Sequence, residues 1–219
     1  MNELTLRRTT GIAGVFMYLT VMTVIPLFFL YDGAPPAANI LLRVLVNMFT
    51  CASLLVFLVG LREVIRRARP DAGFLATLTF STGFAYVLLI MVADAVQVGT
   101  VLAHGSPVDP TLVGSGGETS LLIWGPLSRL LTAMFLVSAA AAVLSAGILP
   151  RWTAWLALAI AALHAALIPT IFSGTDPTRF YSINGIGIPT AGGLFALWIL
   201  VASAVLLIRA RQPSATPAI

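Results

Sequence analysis

The chain has 219 residues, 59% of them hydrophobic and only 9% charged, with mean hydropathy +1.01. Soluble globular domains carry about 25% charged residues, so that class is excluded. The net charge of +4 rests on twelve arginines without a single lysine, and their placement fits membrane topology rather than nucleic-acid binding.

Six apolar stretches, each near the roughly 20 residues that cross a bilayer, run over 11–30, 39–61, 73–95, 121–148, 153–173 and 189–209. They predict an all-α fold: a polytopic membrane bundle of six transmembrane helices, forming one domain over 1–219. The first stretch follows MNELTLRRTT and is longer than the ~7–15 apolar residues of a signal peptide. It therefore reads as an uncleaved first helix. Cys51, the single cysteine, falls inside the second span, which rules out an intrachain disulfide or a Cys-based zinc site.

Nine of the twelve arginines occupy alternate gaps: Arg7 and Arg8, then Arg62, Arg66, Arg67 and Arg69, then Arg151, then Arg209 and Arg211. The positive-inside rule turns this into a cell-membrane protein with both termini and the 62–72 loop cytoplasmic. Residues 210–219 form a short cytoplasmic tail. The fourth and fifth spans, joined by LPRW, make a tight hairpin rich in alanine, which lets helix backbones approach closely in lipid.

Counting about 1.5 Å per residue from the cytoplasmic arginines puts Arg43, Asp94 and Arg129 near one level, roughly 29–33 Å up. Asn47 and His164 lie below them, and Gln97 shares the Asp94 face. Ionisable groups inside spans are costly and tend to face a bundle interior or cavity. The two arginines have a second reading as side chains snorkelling to headgroups, and Asp94 as a structural ion pair with one of them. His164, alone among alanines, reads as an interhelical hydrogen-bonder.

Pro26, Pro126 and Pro169, toward the outer span ends, free backbone carbonyls that a cavity could receive. His104 has no partner at metal-ligand spacing, so no metal and no cofactor are expected. GSGG at 114–117 lacks the Lys-Ser/Thr of a phosphate loop. Ser115 and Glu118 have capping-box spacing, and SINGIGIP reads as a turn.

RRTTGIAGVFMYL and LSAGILPRWTAWLALAIAALHAAL resemble a large bacterial family of six-span integral membrane proteins carrying a domain of unknown function. The resemblance rests on an Arg-x-x-Gly lead into helix one and a Gly-x-Leu-Pro-Arg turn before helix five. It implies a topology and assigns no activity.

Two functions follow from the residues. One is a protein that binds a lipid-like amphiphile in a pocket opening to the outer leaflet, through Arg43, Asn47, Gln97 and Arg129, with the apolar tail between spans four and five. The other is an intramembrane enzyme with Asp94 as acid or base and His164 as its proton partner, on the general plan of small membrane terpene cyclases. The expected partners are membrane lipids and an amphiphilic ligand, with oligomers open and nucleic acid excluded; the missing inverted repeats argue against a carrier. The topology is tested in a Cys51→Ala background by adding Arg67→Cys or Leu112→Cys. An impermeant thiol reagent applied from outside should label the second and spare the first; labelling at 67 overturns the map.

Overall fold

The computed structural model describes residues 1–28, 30–31, 35–104, 119–176 and 178–211. Asp109, the Ser115–Glu118 spacing, GSGG and the tail beyond 211 lie outside these residues, as does the side chain of His104. Six helices are described: α1 (Glu3–Leu27), α2 (Ala37–Ala68), α3 (Gly73–His104), α4 (Thr119–Ala146), α5 (Arg151–Ala166) and α6 (Gly187–Arg209). A short 3₁₀ turn (Pro70–Ala72) precedes α3, and another (Ile168–Phe172) extends α5. Six segments are long and apolar enough to cross a bilayer, and the chain is a multi-pass membrane protein with an all-helical fold.

Several helices run past the apolar stretches that announced them. α1 starts at Glu3 because the Asn2 side chain accepts from the Thr5 amide at 2.7 Å, satisfying an orphan N–H of the first turn. Glu3 and Arg7 then pair one turn apart. α2 continues through Arg66 and Arg67 to Ala68, since arginine is a good helix former and aqueous ends place no limit on helicity. A 32-residue helix is roughly 48 Å long, well beyond the ~30 Å hydrocarbon layer.

The helices pack as a closed ring in chain order, each against the next, with α6 returning to α1. Leu54, Phe57, Leu58, Phe135, Trp198 and Ile199 are among the buried side chains of this ring. Its outside is equally apolar: Ile12, Phe16, Leu19, Val59 and Phe74 are exposed, the distribution expected when lipid is the solvent. α1 meets α6 at Gly14, where an added Cβ would collide with the Ser203 hydroxyl and lie 2.8 Å from the Phe57 ring. In the α4–α5 hairpin, Ala139, Ala140, Ala142, Ala154, Ala157 and Ala161 are at most 3% exposed. These alanines spend their small size on contact between helices, so the expected room for an acyl tail between spans four and five is not there.

Polar links orient the two ends. Arg67 donates to the Met1 carbonyl, and Arg69 to that of Ser145. Arg209 donates to the Gly147 and Ile148 carbonyls at 3.0 and 2.7 Å. The start of α1, the 62–72 turn, the 147–150 turn and the end of α6 thus share one face, the arginine end. Gly147 closes α4 at φ +63°, a left-handed position that glycine takes without strain. Arg209→Ala removes a cation that caps free carbonyls at this helix end, at about 1 kcal/mol per lost bond. Its melting temperature in detergent should fall by several degrees, and an unchanged value would rule the clamp out as a stabilising contact.

Candidate functional site

Opposite the arginine end, buried and half-buried polar side chains from four helices, with a backbone carbonyl from α6, meet above an aromatic layer. Phe195 forms the centre of that layer, edge-on to Tyr86 at 5.5 Å, to Phe135 at 5.6 Å and to His164 at 6.4 Å. Trp198 meets Phe135 edge-on and donates its indole N–H to the Thr153 carbonyl at 2.9 Å.

The first part of the cluster joins α2 to α3. The Asn47 amide donates to Asp94 Oδ2 at 2.6 Å. Trp124 of α4 lies beside the same carboxyl. The expected ion pair between Asp94 and Arg43 or Arg129 does not form. Among the described residues, ion pairs join Glu3 to Arg7, Glu63 to Arg67 and Asp176 to Arg179. The reason is local: Asn47, one turn from Arg43 on the same helix, intercepts the carboxyl. Arg43 lies with Cζ 4.1 Å from the centre of the Phe28 ring, in the cation–π range.

The second part joins α4, α5 and α6. α4 opens into a π-helical turn over Ile123–Leu127, where Gly125 adopts φ −86°, ψ −112° and Pro126 lacks an amide hydrogen. The Trp124 carbonyl is thereby available to side chains. It accepts from Ser128 Oγ at 2.6 Å and from Arg129 Nη2 at 3.0 Å. Arg129 Nη1 faces His164 Nδ1 at 3.5 Å, and His164 Nε2 lies 3.0 Å from the Ala191 carbonyl. Arginine can only donate and a carbonyl only accept, so His164 is the Nε2–H tautomer, accepting at Nδ1 and donating to Ala191. Both of its nitrogens are committed.

Arg129 is 2% exposed, and its Nε has no hydrogen-bond partner. Its guanidinium therefore meets a carbonyl and a neutral imidazole, with no carboxylate among its partners in the described residues. It reaches α6 beside Gly192, 3.8 Å from where a Cβ would stand, while an added Cβ at the next residue, Gly193, would meet nothing within 4 Å.

Of the residues singled out from sequence, the structure thus gathers Asn47 with Asp94, and Arg129 with His164. Trp124 links the two parts. Gln97 is half-buried and makes no hydrogen bond among the described residues. The contributions of Trp124, of the Ala191 carbonyl and of Gly192 were missed. Only the Trp-Gly-Pro run could have signalled the first, as a glycine–proline break inside an apolar span.

Beside the cluster, the connection between α5 and α6 is built as a turn. Ile183 N donates to the Gly174 carbonyl, and Tyr181 Oη to that of Ala166. The Thr178 hydroxyl and amide both donate to Asp176 Oδ1, which holds that carboxyl below its usual range. Asp94, Arg129 and His164 are at most 5% exposed, so the cluster is closed in this conformation.

In comparisons with known proteins, no family model, no curated protein and no solved structure matches this chain. The site is therefore read from its chemistry alone.

Asp94→Asn keeps an acceptor oxygen for Asn47 and orphans no arginine. Asn47→Leu leaves a buried carboxyl without its amide donor, at a cost of about 1–3 kcal/mol. The second variant should therefore melt clearly below the first in detergent, and the reverse order would contradict the assigned bond.

Proposed function

We propose that this multi-pass protein sits in the cell membrane with its arginine end in the cytoplasm and binds the anionic headgroup of an amphiphile at Arg129. The observation that carries this reading is a buried cation whose partners are all neutral. Placing such a charge at membrane depth costs about 2.5–3.5 kcal/mol on insertion scales, and structures that retain one usually pair it. An oxyanion would supply the missing charge, accept from the open Nε, and replace the Trp124 carbonyl as acceptor for Nη2. The approach runs along α6 at Gly192 and Gly193, where no side chain stands between the helix backbone and its surroundings. The apolar tail stays on the lipid-facing surface of the bundle.

Asn47 and Asp94 would serve beside this headgroup as a hydrogen-bonding pair for its hydroxyl or amine groups. The alternative of acid–base chemistry on a lipid or isoprenoid is less well supported. His164 would have to exchange protons with Asp94, yet its two nitrogens bond Arg129 and Ala191.

The test is mass spectrometry of lipids that copurify with the protein in mild detergent. Arg129→Ala should lose an anionic amphiphile that the wild type retains, with affinity reduced about tenfold or more (1.4 kcal/mol per decade). Arg151→Ala, at the opposite end, should keep it. Equal retention by both variants would return the cluster to a purely structural role.

A further inference from the structure

The arginine end carries two concavities, independent of the outer cluster. One cleft of about 240 Å³ is lined by Glu63, Arg66, Arg67 and Pro70. A neighbouring one of about 270 Å³ lies between Arg69, Asp71, Phe74 and Ser145, on the other side of the same turn. The arginines here differ in what they do. Arg67 is held by Glu63 at 2.7 Å and by the Met1 carbonyl at 3.0 Å. Arg69 is spent on the Ser145 carbonyl at 2.6 Å. Arg62 lies with Cζ 5.6 Å from the Phe80 ring centre, and its buried Nε has no hydrogen-bond partner.

Arg66 is exposed and takes part in no hydrogen bond or ion pair among the described residues. Cations exceed carboxylates around the turn, with Arg62, Arg66, Arg67 and Arg69 against Glu63 and Asp71. Phe74, which lines the second concavity with Arg69 and Asp71, is 76% exposed at the first turn of α3. Trp152 and Trp155, exposed on α5, add aromatic rings near the same end of the bundle. Arginines and exposed aromatic rings at one span end are the chemistry of a headgroup boundary, where phosphate meets the first methylenes of an acyl chain.

We infer that the cleft lined by Glu63, Arg66, Arg67 and Pro70 binds an acidic phospholipid, with its phosphate on Arg66 and its acyl chains leaving along the apolar outer surface of the bundle. Arg67 and Arg69 are already satisfied, so they shape the cleft and add long-range attraction. Arg66 supplies the free donors. Phosphate oxygens suit it because a guanidinium offers two parallel N–H groups to a pair of oxyanions.

The full chain in detergent is titrated with phosphatidylglycerol, with phosphatidylcholine and with inorganic phosphate, and its melting temperature is followed. Phosphatidylglycerol should raise it, whereas the other two should leave it unchanged. Arg66→Ala should weaken the phosphatidylglycerol response about fivefold, the effect of losing one arginine near an anionic surface, and Arg66→Lys should restore most of it. The same titrations in an Arg129→Gln background remove the outer site, and there the dependence on Arg66 must persist. An Arg66→Ala response equal to wild type, or an equal shift with phosphatidylcholine, overturns the inference. A full shift with inorganic phosphate alone assigns the site to free anion and overturns the lipid. Failure of the Arg129 experiment above leaves this result untouched.

Discussion

A guanidinium enclosed by six apolar helices has to find acceptors where neither water nor lipid tails provide any, and Arg129 shows how far the fold is shaped by that need. Its first acceptor is the Trp124 carbonyl of its own helix, five residues back, reached by Nη2 at 3.0 Å. In a regular α-helix that carbonyl would already be taken by the amide four residues on. Here the π-helical turn and Pro126 interrupt the ladder, and Ser128 and Arg129 side chains take over the acceptor. The helix defect and the buried charge therefore stabilise each other, and neither is intelligible alone. His164 completes the arrangement from α5 and passes its other nitrogen to α6, so one charge ties three helices together at one level.

The sequence carried the fold almost completely, because lipid imposes a simple rule. Every span must be apolar, about 20 residues long and internally hydrogen-bonded, and the alternating arginines report which ends face the same side. It was less informative about helix ends. Hydropathy marks where the hydrocarbon stops, whereas the Asn2 cap and the Arg66–Arg67 run decide where the helix stops. For the candidate site, depth counting placed Asn47 near Asp94 and His164 near Arg129, as their contacts require. It could not supply rotation about each helix axis, and rotation decides partners: Asp94 turned to Asn47, and Arg129 to its own carbonyl and His164. Backbone partners such as Ala191 leave no side-chain signature at all.

The alanines of α4 and α5 illustrate the same limit. Small residues permit either a gap or a close approach, and composition alone does not distinguish the two. Ala139, Ala140, Ala142, Ala154, Ala157 and Ala161 are buried against neighbouring helices, so the close approach wins there. That outcome moves any ligand tail to the lipid-facing surface, beside the glycine pair that opens α6 next to Arg129.

The two ends of the protein use arginine in opposite ways, and the contrast bears on function. At the arginine end, Arg69 and Arg209 donate to the carbonyls of Ser145, Gly147 and Ile148, where the end of a helix already presents excess negative potential. Those charges are met by geometry that the fold provides anyway. Arg129 bonds no helix-end carbonyl: one acceptor is the His164 ring, and the other, the Trp124 carbonyl, is available because α4 is distorted around it. A hydrophobic residue of similar length would have let α4 run straight and spared the desolvation of a cation. Retaining the charge, the broken turn and an unbonded Nε together makes sense if the last acceptor comes from outside the chain, and in a bilayer the abundant oxyanions are those of lipid headgroups.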